Sequence, residues 1–482
     1  MVNVMQEMSL KRATIYNAIS KYGTLVVQLG ITMILARVIA PEEHGVVSLI
    51  SVILAFFNLF ADFGLGITII QHKDMESKTC NQLFTLSVFI GVGLVAAMCI
   101  IAYPVSLIYN NKEYLKLCPI SSAVAFFSSI NTVPNALLSR DKKFDVIAIR
   151  TIVCTTISGA IAIALAFQNL GAYALVIQSI CSTAVLFVWN YSTYPLKIVR
   201  YKWKNIASIL GKYSLFQILF NFLNYFTRNL DNLVIGAKFG ETALGNYNKA
   251  YSLNLQPNMV FTSVITGVLH PFIRDYKNDH KTMNIKLISI LKFLSVAGIF
   301  IMPICFWCAD DIILIMFGSG WETAAICFKM LSICIWAQML GSVAGSIFLG
   351  IERTDCTFTC GIINFALILG AILLGVTRND LMILSLAVGV AYNIIFVTTY
   401  YVLIVRALRE SFTKFLKNFV FDIGFAFCFM GITFLIPDFK VKTWVDMIIK
   451  VVIFFICYCL YLFFSKQISF FIDMLKRVFR VK

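Results

Sequence analysis

Five polar side chains, Gln217, Asn221, Asn224, Arg228 and Asp231, recur at helical spacing through an otherwise apolar stretch of the 482-residue chain. At 100° per residue all five fall within an arc of roughly 80°, one face of one helix. Such a face can hydrogen-bond and attract charge, and Asp231, three residues from Arg228, can pair with it or accept a proton or sodium ion. Asn17, Lys21, Thr24 and Gln28 repeat the pattern near the start of the chain, and adding 200 to each number gives Gln217, Asn221, Asn224 and Arg228. The register continues past both stretches, because Gly45 in PEEHG becomes Gly245 in ETALG. An internal repeat is the simplest source of this match. Ionisable groups in hydrocarbon cost several kcal/mol unless they face a bundle interior or water, so two equivalent polar faces predict a central cavity lined by both halves.

The elements that carry these faces are membrane helices. Hydrophobic residues make up 60% of the chain and charged residues 13%, well outside the range of a soluble domain. Apolar runs reach the ~20 residues needed to cross a bilayer and lack the in/out alternation of a β-barrel. The fold class expected is therefore an all-α polytopic membrane protein. Lys11 and Arg12 precede an apolar run from about Ala13 to Ala40, too long for a signal-peptide core, so the first span is expected to stay as a helix.

Fourteen spans are predicted, centred near residues 27, 57, 95, 126, 157, 180, 222, 260, 298, 336, 365, 392, 425 and 453. Breaks fall at charged or Gly/Pro clusters: PEEHG, HKDMESK, RDKKFD, RDYKNDHK and RALRES. The weakest is QNLG at 168–171, so twelve or thirteen spans remain open. With the N-terminus inside, the inner segments hold 28 Lys and Arg and the outer segments 10, which predicts both termini in the cytoplasm. The net charge of +16 is then topology and attraction to anionic membrane lipids, with no role for nucleic acid.

An even span count between repeats makes them parallel halves related by an axis along the membrane normal. The expected segments are a cytoplasmic N-terminus at 1–13, a six-helix bundle with basic linker at 14–200, a second six-helix bundle at 201–410, two further transmembrane helices at 411–465 and a basic cytoplasmic tail at 466–482. Pro134, Pro257, Pro271, Pro303 and the DFGLG run at 62–66 are candidate hinges, or simply places of close helix packing. The 14 cysteines are scattered as small apolar residues, and CFWC at 305–308 lacks the context of a redox fold. The four histidines have no paired ligand spacing, and no Gly-Lys phosphate loop is present. No metal, cofactor or enzyme activity is expected, and active transport would have to draw on an ion gradient or on consumption of the product.

Three long runs, RVIAPEEHGVVSLISVILAFFNLFADFGLGITIIQHKD, RNLDNLVIGAKFGETALGNYNKAYSLNLQPN and FGSGWETAAICFKMLSICIWAQMLGSVAGSIFLGIERTD, resemble bacterial polysaccharide exporters of the Wzx type. The likeness is greatest to the colanic-acid-exporter branch and covers about 400 residues in order. That family lies in the multidrug/oligosaccharidyl-lipid/polysaccharide superfamily. The resemblance implies two six-helix bundles in a V around a central cavity, often with two additional helices. It also implies a flippase that moves undecaprenyl-diphosphate-linked sugar repeat units across the bacterial inner membrane for O-antigen, capsule or exopolysaccharide synthesis, beside a polysaccharide polymerase and assembly proteins. In such a cavity Arg228 would hold diphosphate by forked hydrogen bonds and Lys21 as a point charge, while Gln217, Asn221, Asn224, Asn17 and Gln28 would bond sugar hydroxyls.

Blander readings stand beside these. Arg228 and Asp231 can form a structural ion pair, Lys21 is near enough to the cytoplasmic end to snorkel, and Asp62 and Asp422 suit caps or interfacial charges. An ion-coupled drug or cation exporter of the same superfamily would share the fold, but its cavity should be dominated by acids. A membrane-embedded glycan polymerase would need a sizeable outer loop, and the outer connections are short.

Overall fold

The computed structural model describes residues 10–62, 64–72, 75–200, 222, 224–276, 279–433, 435–436, 443–465 and 467. The first part of the chain forms α1 (Leu10–Val38), α2 (Pro41–Asp62), α3 (Leu65–Gln71), α4 (Ser77–Ile108), α5 (Tyr114–Arg140), α6 (Phe144–Phe167) and α7 (Ala172–Thr193). A helix at 224–239, α8, precedes α9 (Glu241–Tyr276) and α10 (His280–Trp307). Then come α11 (Ala309–Phe317), α12 (Glu322–Ser332), α13 (Ile335–Gly350), α14 (Thr354–Arg378), α15 (Leu381–Tyr401), α16 (Phe412–Lys417), α17 (Val420–Thr433) and α18 (Thr443–Phe464).

Each of the fourteen expected span centres falls on a helical residue. Among the described residues nine helices are long and apolar enough to cross a bilayer, or ten if α12 and α13, bent by 59°, count as one broken span. The doubtful break at QNLG is real: α6 ends at Phe167, and Gly171 turns the chain into α7 with φ of 48°. The DFGLG run also interrupts its helix, since α2 ends at Asp62 and Gly64, with φ of 76°, starts the short α3. Large apolar side chains remain exposed along the spans, among them Phe89, Ile100 and Leu107 on α4 and Trp444, Ile448 and Phe455 on α18. A helix satisfies its backbone internally and can present such residues to lipid at no cost.

The chain packs as two compact units, Met1–Gly245 and Asn246–Lys482. In the first, Leu65, Leu83, Phe84, Val133 and Leu137 form one buried cluster and Ile31, Leu35, Ala162 and Ala174 another. The core of the second unit joins Leu287, Leu294, Trp336, Leu340 and Tyr400 to Phe429 and Phe454, so α17 and α18 are integral to it. Packing thus places α8 and the first residues of α9 with the first unit, whereas the sequence repeat counts them as the start of the second half.

That placement lets the repeat be seen in backbone geometry. A Cβ added to Gly45 would lie 1.8 Å from the Glu241 carbonyl oxygen, and one added to Gly245 would lie 2.0 Å from the Pro41 carbonyl oxygen. Pro41 and Glu241 are themselves 200 apart and open α2 and α9. The contact is reciprocal, as a two-fold related pair requires, and only hydrogen fits at either glycine. Around it Tyr109 donates to the Leu233 carbonyl at 3.1 Å, Tyr225 to the Val52 carbonyl at 2.9 Å, and Asn111 to both Glu241 carboxylate oxygens at 2.9 and 3.0 Å.

Candidate functional site

The two polar stripes ride on α1 and α8. Of their members, Lys21, Gln28 and Arg228 are exposed, Thr24 and Asn224 are half-buried, and Asp231 is buried at 4%. Gln217 and Asn221 lie outside the described residues, as does the side chain of Asn17.

The direction of the exposed members is informative. Gln28 and Leu35, like Arg228 and Ile235, stand seven residues apart and hence within about 20° of the same direction. Leu35 and Ile235 are buried at 3% and 0%, yet Gln28 and Arg228 are open. Lys21 lies fourteen residues before the buried Leu35, which puts the two within about 40° of the same direction. The opposite side of α1 carries Val26 and Ile34, apolar and exposed at 67% and 41%. Each stripe therefore runs along the packed side of its helix, and that side opens where the residues turn polar. Thr24, between Lys21 and Gln28, adds a buried hydroxyl oxygen with no hydrogen-bond partner.

Arg228 and Asp231 are held differently. Asp231 turns inward, and its Oδ1 accepts from the Asn232 backbone N–H at 2.8 Å. An ion pair between the two is not among those formed by the described residues. Tyr225 anchors α8 through its bond to Val52, and Phe56 of α2 packs its ring on Tyr225 and Phe226 at centroid distances of 5.4 and 6.3 Å. This anchoring fixes the helix that presents Arg228.

Arg150 is one of the 28 Lys and Arg of the expected inner segments. It sits on α6, 3% exposed, and donates from Nη2 to Asn135 Oδ1 at 2.7 Å. Its Nε and Nη1 have no hydrogen-bond partner. One turn earlier on α5, Asn131 Oδ1 accepts from Asn190 at 2.6 Å, and Asn190 Oδ1 is also without a partner. Contacts of Gly23 with Ile152 and of Gly159 with Ile31 set α1 and α6 side by side in parallel register, which puts Arg150 level with Lys21. An arginine enclosed by VIAI and TIVC was the available signal. Asp422, expected as a cap or interfacial charge, is instead 1% exposed and accepts from Ser295 at 2.5 Å, Tyr461 at 2.5 Å and Gln467 at 2.9 Å, tying α10, α17 and the end of α18 together. The side chain of Asp62 lies outside the described residues.

Apolar helices throughout the described chain, with polar faces turned to the packed side, define an all-α polytopic membrane protein. The family described as polysaccharide biosynthesis protein matches residues 34–326, and the chain belongs to that family. Among curated relatives it is 23% identical to the lipopolysaccharide biosynthesis protein WzxC of Escherichia coli (strain K12), over 85% of each chain. It is 26% identical to the succinoglycan biosynthesis transport protein ExoT of Rhizobium meliloti (strain 1021), over 64% of this chain and 63% of that one. Among solved structures, the lipid II flippase MurJ in an inward closed conformation matches with a TM-score of 0.74 at 15% identity, covering 94% of this chain and 99% of its own. An inward-facing multidrug resistance MATE transporter matches with a TM-score of 0.58 at 16% identity, covering 81% and 99%.

Proposed function

We propose that the protein is a flippase that moves a polyprenyl-diphosphate-linked oligosaccharide from the cytoplasmic to the outer leaflet of the bacterial inner membrane, with both termini in the cytoplasm. The observation that carries this reading is the opening of the packed faces of α1 and α8 where Lys21, Gln28 and Arg228 stand. A polyprenyl tail can stay in lipid while the head crosses, so the protein must supply only a polar, cationic path for diphosphate and sugar. Arg228 provides a fork for phosphate oxygens, Lys21 a second positive charge, and Gln28, Thr24, Asn224, Asn17, Gln217 and Asn221 partners for sugar hydroxyls. Arg150, level with Lys21 and holding unused donors, adds positive potential from behind α1. Asp231 serves as an inward-facing acceptor of the α8 stripe. A surface glycan polymerase and its assembly proteins would take the delivered unit.

The MATE-like fold alone would also suit a drug exporter. The exposed charges on the stripes are both cations, which repel a cationic drug and attract a diphosphate. The test is complementation: expressed in strains that each lack a different glycan exporter, the chain should restore surface polysaccharide in at least one, and Lys21→Ala should lower that restoration severalfold at equal membrane abundance. Drug resistance conferred without any glycan restored would overturn the reading.

A further inference from the structure

Arg150 is a buried cation in the first unit that no carboxylate meets. It is 3% exposed, and no ion pair among the described residues includes it. Its Nη2 donates to the neutral amide of Asn135 at 2.7 Å, while Nε and Nη1 have no acceptor. A guanidinium carries two N–H groups on each Nη and one on Nε, set in a rigid plane. Whichever N–H of Nη2 serves Asn135, the other still forms a two-donor fork, with Nε on one edge or with Nη1 on the next.

The helices around it bring no counter-charge. Along α1, α5, α6 and α7 the sole carboxylate is Asp145. It stands in the first turn of α6, five residues before Arg150 and therefore about 140° round the helix. Asp141, which follows α5, is engaged by Arg140 at 3.1 Å and by the Tyr194 hydroxyl. The Asn131–Asn190 pair, one turn before Asn135, is neutral. Lys21, level with Arg150 on α1, adds positive charge and relieves none. A charge enclosed in this way is costly unless it is both paired and hydrogen-bonded. A neutral acceptor would supply only the second. An anion supplies both at once, because it balances the guanidinium and accepts from its open fork. Enclosure limits its size: Arg150 lies about 9 Å along α6 from the start of the helix, and Ala148 and Cys154 on α6 and Leu137 and Leu138 on α5 are all buried. One guanidinium balances one charge, so the ion is small and monovalent.

We propose that Arg150, steadied by Asn135, binds one small inorganic anion of the halide class inside the first unit. The anion accepts from the fork that Asn135 leaves open, and with it in place the α5–α6 contact is neutral. Its charge also cancels the potential that Arg150 sends behind α1, so the anion-bound and anion-free proteins present the α1 stripe with different fields. The site stands independently of the flippase reading, because its occupancy is read from the protein alone.

The test is equilibrium binding of radiolabelled chloride to the full-length protein in phosphatidylcholine nanodiscs prepared in sodium gluconate. Thermal unfolding of the same samples is read in gluconate and in chloride at equal ionic strength. The wild type should bind one chloride per chain saturably, and chloride should raise its midpoint. R150Q should lose both the binding and the rise. N135D puts a carboxylate where the neutral amide accepts from Arg150, which supplies the counter-charge from within. It should unfold in gluconate no earlier than the wild type and bind no chloride. The double change K21A with R228A removes only open cations and should keep the binding. No saturable binding to the wild type, binding that survives in folded R150Q or N135D, or binding that vanishes with the two open cations would falsify the site.

Discussion

Lys21 and Arg228 in the first unit and Lys450 in the second are all cations set into apolar helices, yet only Lys450 is closed off. Lys450 has carboxylates at 2.8 and 2.6 Å, while the stripe cations stand open on helix faces that are packed further along at Leu35 and Ile235. Arg150 stands between the extremes, buried like Lys450 but with two donors unused. The contrast separates two uses of charge in a membrane. A sealed cluster fixes helices, because its charges meet partners that the protein itself supplies. An open stripe leaves part of its hydrogen-bonding capacity to whatever enters.

The largest effect should come from breaking the sealed side. Lys450→Met removes the only ammonium in contact with Asp311 and Asp446 among the described residues, and stranding buried charge typically costs about 3–5 kcal/mol. The thermal midpoint of purified protein and its abundance in membranes should both fall steeply. Lys21→Met and Arg228→Met, at open positions, should leave both close to wild type. Equal losses at all three sites would erase the distinction between open and sealed charge.

An intermediate effect is expected at the paired glycines. Gly45→Ala and Gly245→Ala each drive a methyl into a carbonyl oxygen of the other helix, and the geometry is the same from both sides. The two variants should therefore lose similar stability. The double variant should lose less than the sum, because the first displacement already separates the helices that the second would clash with. Strict additivity in unfolding experiments would mean that the two contacts are independent.

Features set by one helix at a time were legible in the sequence. Span centres follow from apolar length, the stripes from spacing along one helix, and the Gly45–Gly245 relation from a constant offset of 200. Features made by two distant helices were not. Asp446 and Lys450 are visible as a pair four apart on an apolar helix, but Asp311 lies 139 residues away, and only packing shows that it meets them. Arg150 falls among the inner-segment charges because hydropathy windows blur the inner end of a span, and the boundary decides whether an arginine is solvated or enclosed. The bend of 59° between α12 and α13 has no proline at its break and arises after Ser332, where the helix turns through Ile333 and Cys334. Nor did the Arg228–Asp231 spacing reveal that one would face out and the other in. Their placement depends on Tyr225 and Phe226 docking against α2.

That last point sharpens the smallest prediction. Since Asp231 is engaged by the Asn232 backbone N–H and Arg228 is open, replacing the arginine removes a cation from the stripe without stranding a buried partner. Arg228→Ala should therefore fold and insert normally, and any loss of glycan export reports on recognition. Arg228→Lys keeps the charge but exchanges a planar fork for a single ammonium. If the site attracts diphosphate by charge and then orients it by paired hydrogen bonds, lysine should retain a substantial part of export, with a loss of a few fold, and alanine should lose more. Surface glycan normalised to membrane abundance provides the readout. Lysine as poor as alanine would mean that geometry dominates and charge contributes little. Both variants exporting normally would place the anion on Lys21 and Arg150 and leave α8 as a scaffold.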